Sequence, residues 1–317
     1  MYLGIDVGGT NLKSGIIDEK GKLLYQFTVP TNASKGKIAV LRGISNLITK
    51  AVSANPDIKS VGIGIGGVVD NDGIVKIVPT MPDWENIDLA KHLSKTFDFP
   101  IFVENDARIA ALAEMLVGSC RSEYDFLFLS MGTGISGAIV YDRQIIKGVH
   151  GGAGDIGHIF VDMYKAVTKR AIAYQIGNLE QYVGKNHIAE YAEKVVKKSD
   201  NTILHDYDKL DPFFLSEAVS KGDKVAAEIF TEIGRILGVG IASALNLLDL
   251  SLVVFSGGLA QSHHSLFNAA YESAKARTLP TISENLEFRF SNFARDSGTI
   301  GAALFGKMQL ENSADDE

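Results

Sequence analysis

An apolar run ends in Asp6, and Val7-Gly8-Gly9-Thr10-Asn11 follows at once. A carboxylate beside two glycines and a hydroxyl is a set suited to phosphate. Glycine lets the main chain approach a ligand where a Cβ would collide. Successive backbone N–H groups in such a turn form an anion-binding concavity, to which Thr10 adds a donor. Asp6 repels phosphate by itself, so its natural partner is a divalent cation that keeps part of its water shell, such as Mg²⁺. The run lacks the Gly-Lys-Ser/Thr ending of a Walker loop, and taken alone it also fits a hairpin with a glycine turn.

Further polar groups stand at similar boundaries. Asp106 follows the short apolar run Ile101–Val103 and Glu104-Asn105, just ahead of an Ala-rich stretch, Ala107–Val117. An aspartate there can act as a general base on a hydroxyl or cap the helix that follows; the residues alone leave both open. Asn105 donates and accepts, which suits a polar ligand or a turn. Gly66 and Gly67 end another apolar run, Val61–Ile65, and either admit a ligand or merely terminate a strand. Asp155 and His158 lie three apart in the glycine-rich segment Gly151–His158, close enough to converge on one ligand. Gly132-Thr133-Gly134 and Gly257-Gly258 each follow an apolar run in the same way.

These groups require strands that end in turns. Tyr2–Val7, Lys13–Asp18 and Lys22–Val29 read as three strands, and Ile38–Val52 as an amphipathic helix. Phe126–Ser130, the loop Gly132–Gly137, and the pair Ala138–Tyr141 and Gln144–Lys147 repeat the opening layout. Two halves built alike suggest a duplicated domain with a ligand between them. Ala226–Leu248 carries one apolar stripe, and Leu252–Phe255 is a buried strand running into Ser256-Gly257-Gly258. Gly298–Ala303 opens the last helix with small residues that allow close packing against a neighbour or a ligand. Glu311–Glu317 reads as a disordered acidic tail. No clear element emerges from Val195 to Asp211.

The bulk numbers narrow the class. The 317 residues suffice for two domains, and 46% hydrophobic with 22% charged residues is ordinary for a soluble globular protein. A net charge of -7 argues against nucleic acid as the main partner. One cysteine, Cys120, excludes an internal disulfide and a cysteine-cluster metal site. No apolar run approaches the roughly 20 residues that span a bilayer, and the chain enters a strand without a signal peptide. A cytoplasmic protein with no membrane partner is expected.

Asp6-Val7-Gly8-Gly9-Thr10, Glu104-Asn105-Asp106-Ala107, Gly132-Thr133-Gly134, Gly151–His158, Gly257-Gly258 and Gly298–Ala303 occur in this order from Leu3 to about Gly306. In that order they resemble the ROK family (repressors, open reading frames and sugar kinases) of the actin/hexokinase-like ATPase superfamily. The resemblance implies an α/β, two-domain actin-like ATPase (ribonuclease H-like) fold with mixed sheets and a cleft between the domains. The expected division is a small domain over 1–117 with a helix of about 300–311 packing back on it, a large domain over 118–299, and the tail 312–317. It implies glucokinase-like phosphorylation of a sugar hydroxyl by ATP and Mg²⁺, on a hexose, amino sugar or glycoside and at a primary hydroxyl. A homodimer is usual for the family. The repressor branch places a helix-turn-helix before the first glycine turn; no room for one is seen here, which favours the kinase branch. A sugar-sensing regulator without a DNA-binding domain is the alternative.

Residue by residue, the resemblance makes Asp106 the catalytic base and assigns Gly66, Gly67, Asn105, Asp155, His158 and Glu180 to the sugar. It assigns Gly8, Gly9, Thr10, Asn11, Gly132, Thr133 and Gly134 to the phosphates, Gly257 and Gly258 to the adenosine, and Asp6 to Mg²⁺ through water. Glu180 alone reads equally as an exposed helix carboxylate. Four places depart from the family pattern, the first at Gly66-Gly67-Val68-Val69-Asp70, where the glycine is retained and the usual prolines are not. Asp155 stands where a Glu is usual, and Thr80 where an Asn touches the distal sugar. The cysteine run that holds structural zinc beside the histidine is missing between His158 and Glu180, so no zinc is expected. That segment is then expected to rest on packing around Ile172, Tyr174 and Ile176. Trp84, the only tryptophan, reads as a lid or a core residue.

Overall fold

The computed structural model describes residues 1–81, 83–164, 176–293 and 296–315. Packing gathers them into two groups, one of Met1–Tyr124, Ala138–Ala153 and Ser291–Glu317, the other of Asp125–Gly137 and Gly154–Phe290.

The first unit opens with β1 (Tyr2–Val7), β2 (Asn11–Ile17), β3 (Leu23–Pro30), α1 (Lys37–Ala54) and β4 (Ser60–Ile65). Short strands β5 (Val68–Val69), β6 (Val75–Ile77) and β7 (Glu85–Ile87) follow, then α2 (Leu89–Leu93), β8 (Ile101–Asn105) and α3 (Asp106–Leu116). The main sheet has the order β3-β2-β1-β4-β8, with β2 antiparallel to β1 and β4 and β8 parallel to it. β4 is buried along its whole length and β1 almost so, which is why both read as continuous apolar runs. α1 turns Val40, Ile44, Leu47, Ile48 and Ala51 into the core with Leu3, Ile5, Leu12 and Ile63. Trp84 is fully buried in this core, packed among Val69, Val75, Val78 and Met81, so it is no lid.

The other elements are β9 (Phe126–Met131), β10 (Ile135–Tyr141), β11 (Gln144–Ile146), α4 (Glu180–Val183), α5 (Lys185–Val196), α6 (Pro212–Ser220) and α7 (Lys224–Leu248). β12 (Leu252–Ser256), α8 (His264–Lys275), α9 (Pro280–Ser283), β13 (Glu287–Phe290) and α10 (Ser297–Asp315) complete the chain. The second sheet has the order β11-β10-β9-β12-β13, with β12 parallel to β9 and β13 parallel to β12. In the second unit α7 buries Ile229, Phe230, Ile233, Leu237, Ile241, Ala244 and Leu245 of its predicted stripe. Its N-cap is Asp223, whose Oδ1 accepts from Ala226 N at 2.8 Å.

α10 belongs to the first unit and rests directly on its sheet. A Cβ on Gly62 would lie 1.7 Å from Ala302 O, and one on Gly4 2.0 Å from Thr299 O, so only glycine permits this approach. The small residues at the start of α10 therefore serve a neighbour, β1 and β4. The acidic stretch expected as a disordered tail is helical through Asp315, because each added residue extends the hydrogen-bond ladder of an established helix. Between α5 and α6, where no clear element is expected from the residues, a single turn at Ile203–Asp206 is pinned by Asp223 Oδ2, which accepts from Ile203 N at 2.7 Å.

Candidate active site

In the first unit three parallel strands finish side by side. Val7 pairs with Ile65, and Ile65 with Asn105, so β1, β4 and β8 end in register. That edge carries Asp6 and the Gly8–Asn11 turn, Gly66-Gly67, and Asn105-Asp106. Carboxyl ends of parallel strands are where ligands of open α/β sheets bind.

The first turn is closed by Gly8 N donating to Asn11 O at 3.0 Å. Thr31, just past β3, braces it by donating from Oγ1 to Gly8 O (2.6 Å) and from N to Thr10 O (2.9 Å). Gly9, Thr10 and Asn11 stay exposed. Thr80 stands beside Gly9, where a Cβ would come within 3.5 Å of its Oγ1. Asp6 faces Lys13 in the β1–β2 register. Burial pushes its carboxyl up to about 6, the charge of Asp106 adds to this, and Lys13 opposes it. A carboxyl that desolvation and a second carboxylate hold against ionisation is one that a divalent cation relieves, so these residues fit Mg²⁺.

Asn105, not Asp106, is the N-cap of α3. Its Oδ1 accepts from Arg108 N at 3.0 Å, and Asp106 occupies the first helical position. Asn and Asp cap helices about equally well, so residue type alone does not choose between the two neighbours. The Asn105 amide donates to Gly67 O (2.8 Å) and to Asp106 Oδ1 (3.3 Å), which ties the two turns together. With these bonds made, the side chain offers a sugar mainly its remaining Oδ1 lone pair. Asp106 Oδ1 also accepts from Ala107 N at 2.8 Å. Its Oδ2 faces Gly66, where a Cβ would stand 3.3 Å away.

The second unit shows the same pattern. Ser256 pairs with Ser130, so β9 and β12 end together and set Gly132–Gly134 beside Gly257-Gly258. Gly132 N donates to Gly134 O at 2.9 Å, and open space surrounds the position of a Cβ on Gly132 or Gly258. Lys185 N at the start of α5 donates to Gly132 O (3.3 Å) and Thr133 O (3.2 Å). Glu180, at the start of α4, accepts from Ile135 N through Oε2 at 3.0 Å and packs against Gly134. It thus holds the glycine loop, a role that sequence reading did not foresee.

Asp155 and His158 meet, with Nδ1 of the imidazole 3.1 Å from Asp155 Oδ2. The hydrogen bond to Asp155 raises the His158 pKa against the opposing effect of burial, and the charges of Asp155 and Glu180 add to the rise. Beyond His158 the chain is stitched to the segment before α4. Val161 N and Asp162 N donate to Gly177 O at 2.9 and 3.1 Å, Leu179 N donates to Ile159 O at 2.8 Å, and the Tyr182 hydroxyl donates to Asp162. Ile176 is buried as expected, whereas Ile172 and Tyr174 lie outside the described residues. The single thiol, Cys120, is buried in the first unit, and no group of three or more metal-ligating side chains occurs among the described residues.

Two five-stranded mixed sheets, each with a glycine turn after its first strand, define the actin-like ATPase fold. The profile of the ROK family matches residues 2–308. The chain belongs to the ROK family, and it resembles that family's sugar kinases over nearly its whole length. A glucokinase of Halalkalibacterium halodurans is 31% identical, with 98% of this chain and 96% of the relative covered. The crystal structure of a ROK glucokinase from Streptomyces griseus, bound to glucose and AMPPNP, superposes with a TM-score of 0.83 at 26% identity, covering 97% of this chain and 99% of that one. A xylose repressor of Caldicellulosiruptor bescii is 26% identical over 80% of this chain and 64% of its own length. No helix among the described residues is long and apolar enough to cross a membrane.

Proposed function

We propose that this ROK sugar kinase transfers the terminal phosphoryl group of ATP to a primary hydroxyl of a hexose, amino sugar or glycoside, with Asp106 as general base. The observation that supports this most is the common strand edge of the first unit, where β1, β4 and β8 end in register and bring Asp6, Gly66 and Asn105-Asp106 to one place. Phosphoryl transfer asks for positioning and charge compensation more than covalent chemistry. The Asp106 carboxylate accepts the proton of the sugar hydroxyl as its oxygen attacks the terminal phosphorus, and the bond to the bridging oxygen of ADP breaks. Asn105 fixes Asp106 against the Gly66-Gly67 turn. The Gly8–Asn11 and Gly132–Gly134 turns receive the phosphates, with Gly8 N and Gly132 N closing the turns and the N–H groups inside each turn facing the ligand. Gly257 and Gly258 leave room for the adenosine. In the second unit Asp155, His158 and Glu180 contact sugar hydroxyls. Asp6 would hold Mg²⁺, which would supply compensation for the phosphate charge.

The match to a xylose repressor favours a second reading, a sugar sensor that binds without turnover. A coupled assay of ADP release over glucose, mannose, N-acetylated hexosamines, allose, fructose and β-glucosides separates them. Sugar-dependent ADP release supports the kinase and names its substrate. Calorimetric sugar binding with no ADP release on any of these compounds establishes the sensor.

A further inference from the structure

Arg108 is 1% exposed, yet it carries a full charge into the first unit's interior. Its Nε donates to Glu104 Oε1 at 2.8 Å, and Nη2 lies 2.6 Å from the same oxygen. Nη2 also donates to Val69 O at 2.7 Å, and Nη1 to Gly151 O at 2.9 Å. Glu104 Oε1 further accepts from Asn105 N at 2.6 Å, while its Oε2 lies 2.7 Å from Lys147 Nζ. One guanidinium therefore grips the main chain of two segments and, through Glu104, the residue that opens the Asn105-Asp106 turn. Val69 lies two residues beyond Gly67, whose carbonyl accepts from Asn105. Gly151 begins the segment that leads to Asp155 and His158, and a Cβ there would strike Val69 O at 2.0 Å.

A buried ion pair is a poor stabiliser, since an apolar replacement of similar volume often does as well. What it supplies here is direction. Only a planar fork of donors can serve a carboxylate and two carbonyls lying in different directions at once, and lysine cannot replace it. We propose that Arg108, through Glu104 and with Lys147 as the outer clamp, is a positioning residue that sets the Asp106 carboxylate against the Gly66-Gly67 turn for phosphoryl transfer. The proposal rests on the kinase reading for its catalytic consequence. It touches no substrate, so its loss acts on turnover rather than on nucleotide binding. A displacement of about 1 Å in the base costs on the order of 100-fold in rate.

The test uses R108K, K147M and K147R in the full chain. R108K is expected to lower kcat roughly 10- to 100-fold with KM for ATP within about twofold of the parent. K147M is expected to lower kcat about three- to tenfold, and K147R, which still reaches Glu104, to restore it. Calorimetric sugar stoichiometry near one per chain in each variant separates misplacement from a partly folded sample. Amide exchange supplies a readout that needs no turnover, with faster exchange expected over 66–69, 104–107 and 151–153 in R108K and K147M. Parental kcat in both variants, or unchanged exchange in those three segments, overturns the proposal. If R108K does not fold, the K147M and K147R pair decides. If the parent turns over no sugar, the kinase reading falls, and the exchange result alone decides whether Arg108 holds these turns.

Discussion

The glycine turn after β1 and the glycine turn after β9 occupy the same place in two sheets of the same order. Each follows a buried six-residue strand, and each has a parallel strand beside it that also ends in two glycines, Gly66-Gly67 in one case and Gly257-Gly258 in the other. Their charge differs just before the turn. The last residue but one of the strand is Asp6 in the first and Ser130 in the second. The first turn thus sits on a half-buried carboxylate that desolvation and Asp106 hold up to about 6. The second sits on a neutral hydroxyl, and its carboxylate, Glu180, comes from a helix and binds Ile135 N from behind the loop. One backbone plan therefore serves two electrostatic ends. A turn with its own acid needs a cation to hold phosphate, and a turn without one faces phosphate with no carboxylate beneath it.

The largest test of that contrast is D106N, which removes the base and the charge that raises Asp6. In the coupled ADP-release assay kcat is expected to fall by roughly three orders of magnitude while sugar still binds calorimetrically. Turnover near the parental level would place the base elsewhere. Next come two glycines of the second unit. Gly257 adopts φ 89°, and a Cβ there would stand 2.4 Å from Met131 O, so G257A is expected to cost more than about 3 kcal/mol in denaturant unfolding. Gly132 has open space around that position, so G132A is expected to unfold like the parent but to raise KM for ATP about tenfold, the methyl taking room reserved for phosphate. Loss of stability in G132A with an unchanged KM would remove the phosphate role from the second turn.

D6N sharpens the contrast further. A carboxyl whose pKa rises from 3.8 to about 6 on folding favours the folded state below pH 3.8, and that advantage disappears as pH climbs through 6. Relative to the neutral amide, the ligand-free parent is therefore penalised above pH 6, by about 3 kcal/mol for a shift of roughly two units. D6N is expected to be the more stable protein at pH 8 in urea unfolding, with the difference shrinking towards pH 4, and to lose turnover. S130A has no charge to relieve and should show no such pH dependence. Equal pH profiles for D6N and the parent would show that Asp6 is not held against its ionisation.

Much of this arrangement was legible because buried strands and helical stripes leave strong patterns. Tyr2–Val7 was read with its ends as found, and α1, α3 and α7 were placed to within a few residues. The small sheet β5-β6-β7 was not, since strands of two and three residues are too short to alternate visibly. At the site, Asp6, Asn105 and Asp106 announced themselves by standing at strand ends. The sharing of work between Asn105 and Asp106 did not, because it depends on which of two adjacent caps faces the helix. Glu104 stands at the end of β8 and Arg108 in the first turn of α3, four residues apart, and the sequence reading singled out neither as a pair. Nothing in their spacing says that the pair lies in the interior and holds Val69 and Gly151, residues 39 and 43 positions away. The brace from Glu180 to Ile135, 45 residues apart, is illegible for the same reason.

The smallest effect belongs to the pair in the second unit that has no counterpart on the first unit's edge, Asp155 and His158. The hydrogen bond from the imidazole to Asp155 raises the His158 pKa above 6.5, so the folded state holds a proton that the unfolded chain releases. The stabilisation is full below pH 6.5 and fades as pH rises through the folded value. Both side chains are more than a third exposed, so solvent screens the pair and the change in stability is small. The midpoint itself is the sharper readout. The ring-proton resonances of His158 should titrate above 6.5 in the parent and move down in D155N, with Glu180 left as the weaker raising charge. The melting temperature of the parent should exceed that of D155N at pH 6 by more than it does at pH 8.5. An unmoved midpoint in D155N would mean that Asp155 does not hold the imidazole, and the two side chains would then have to contact the sugar independently.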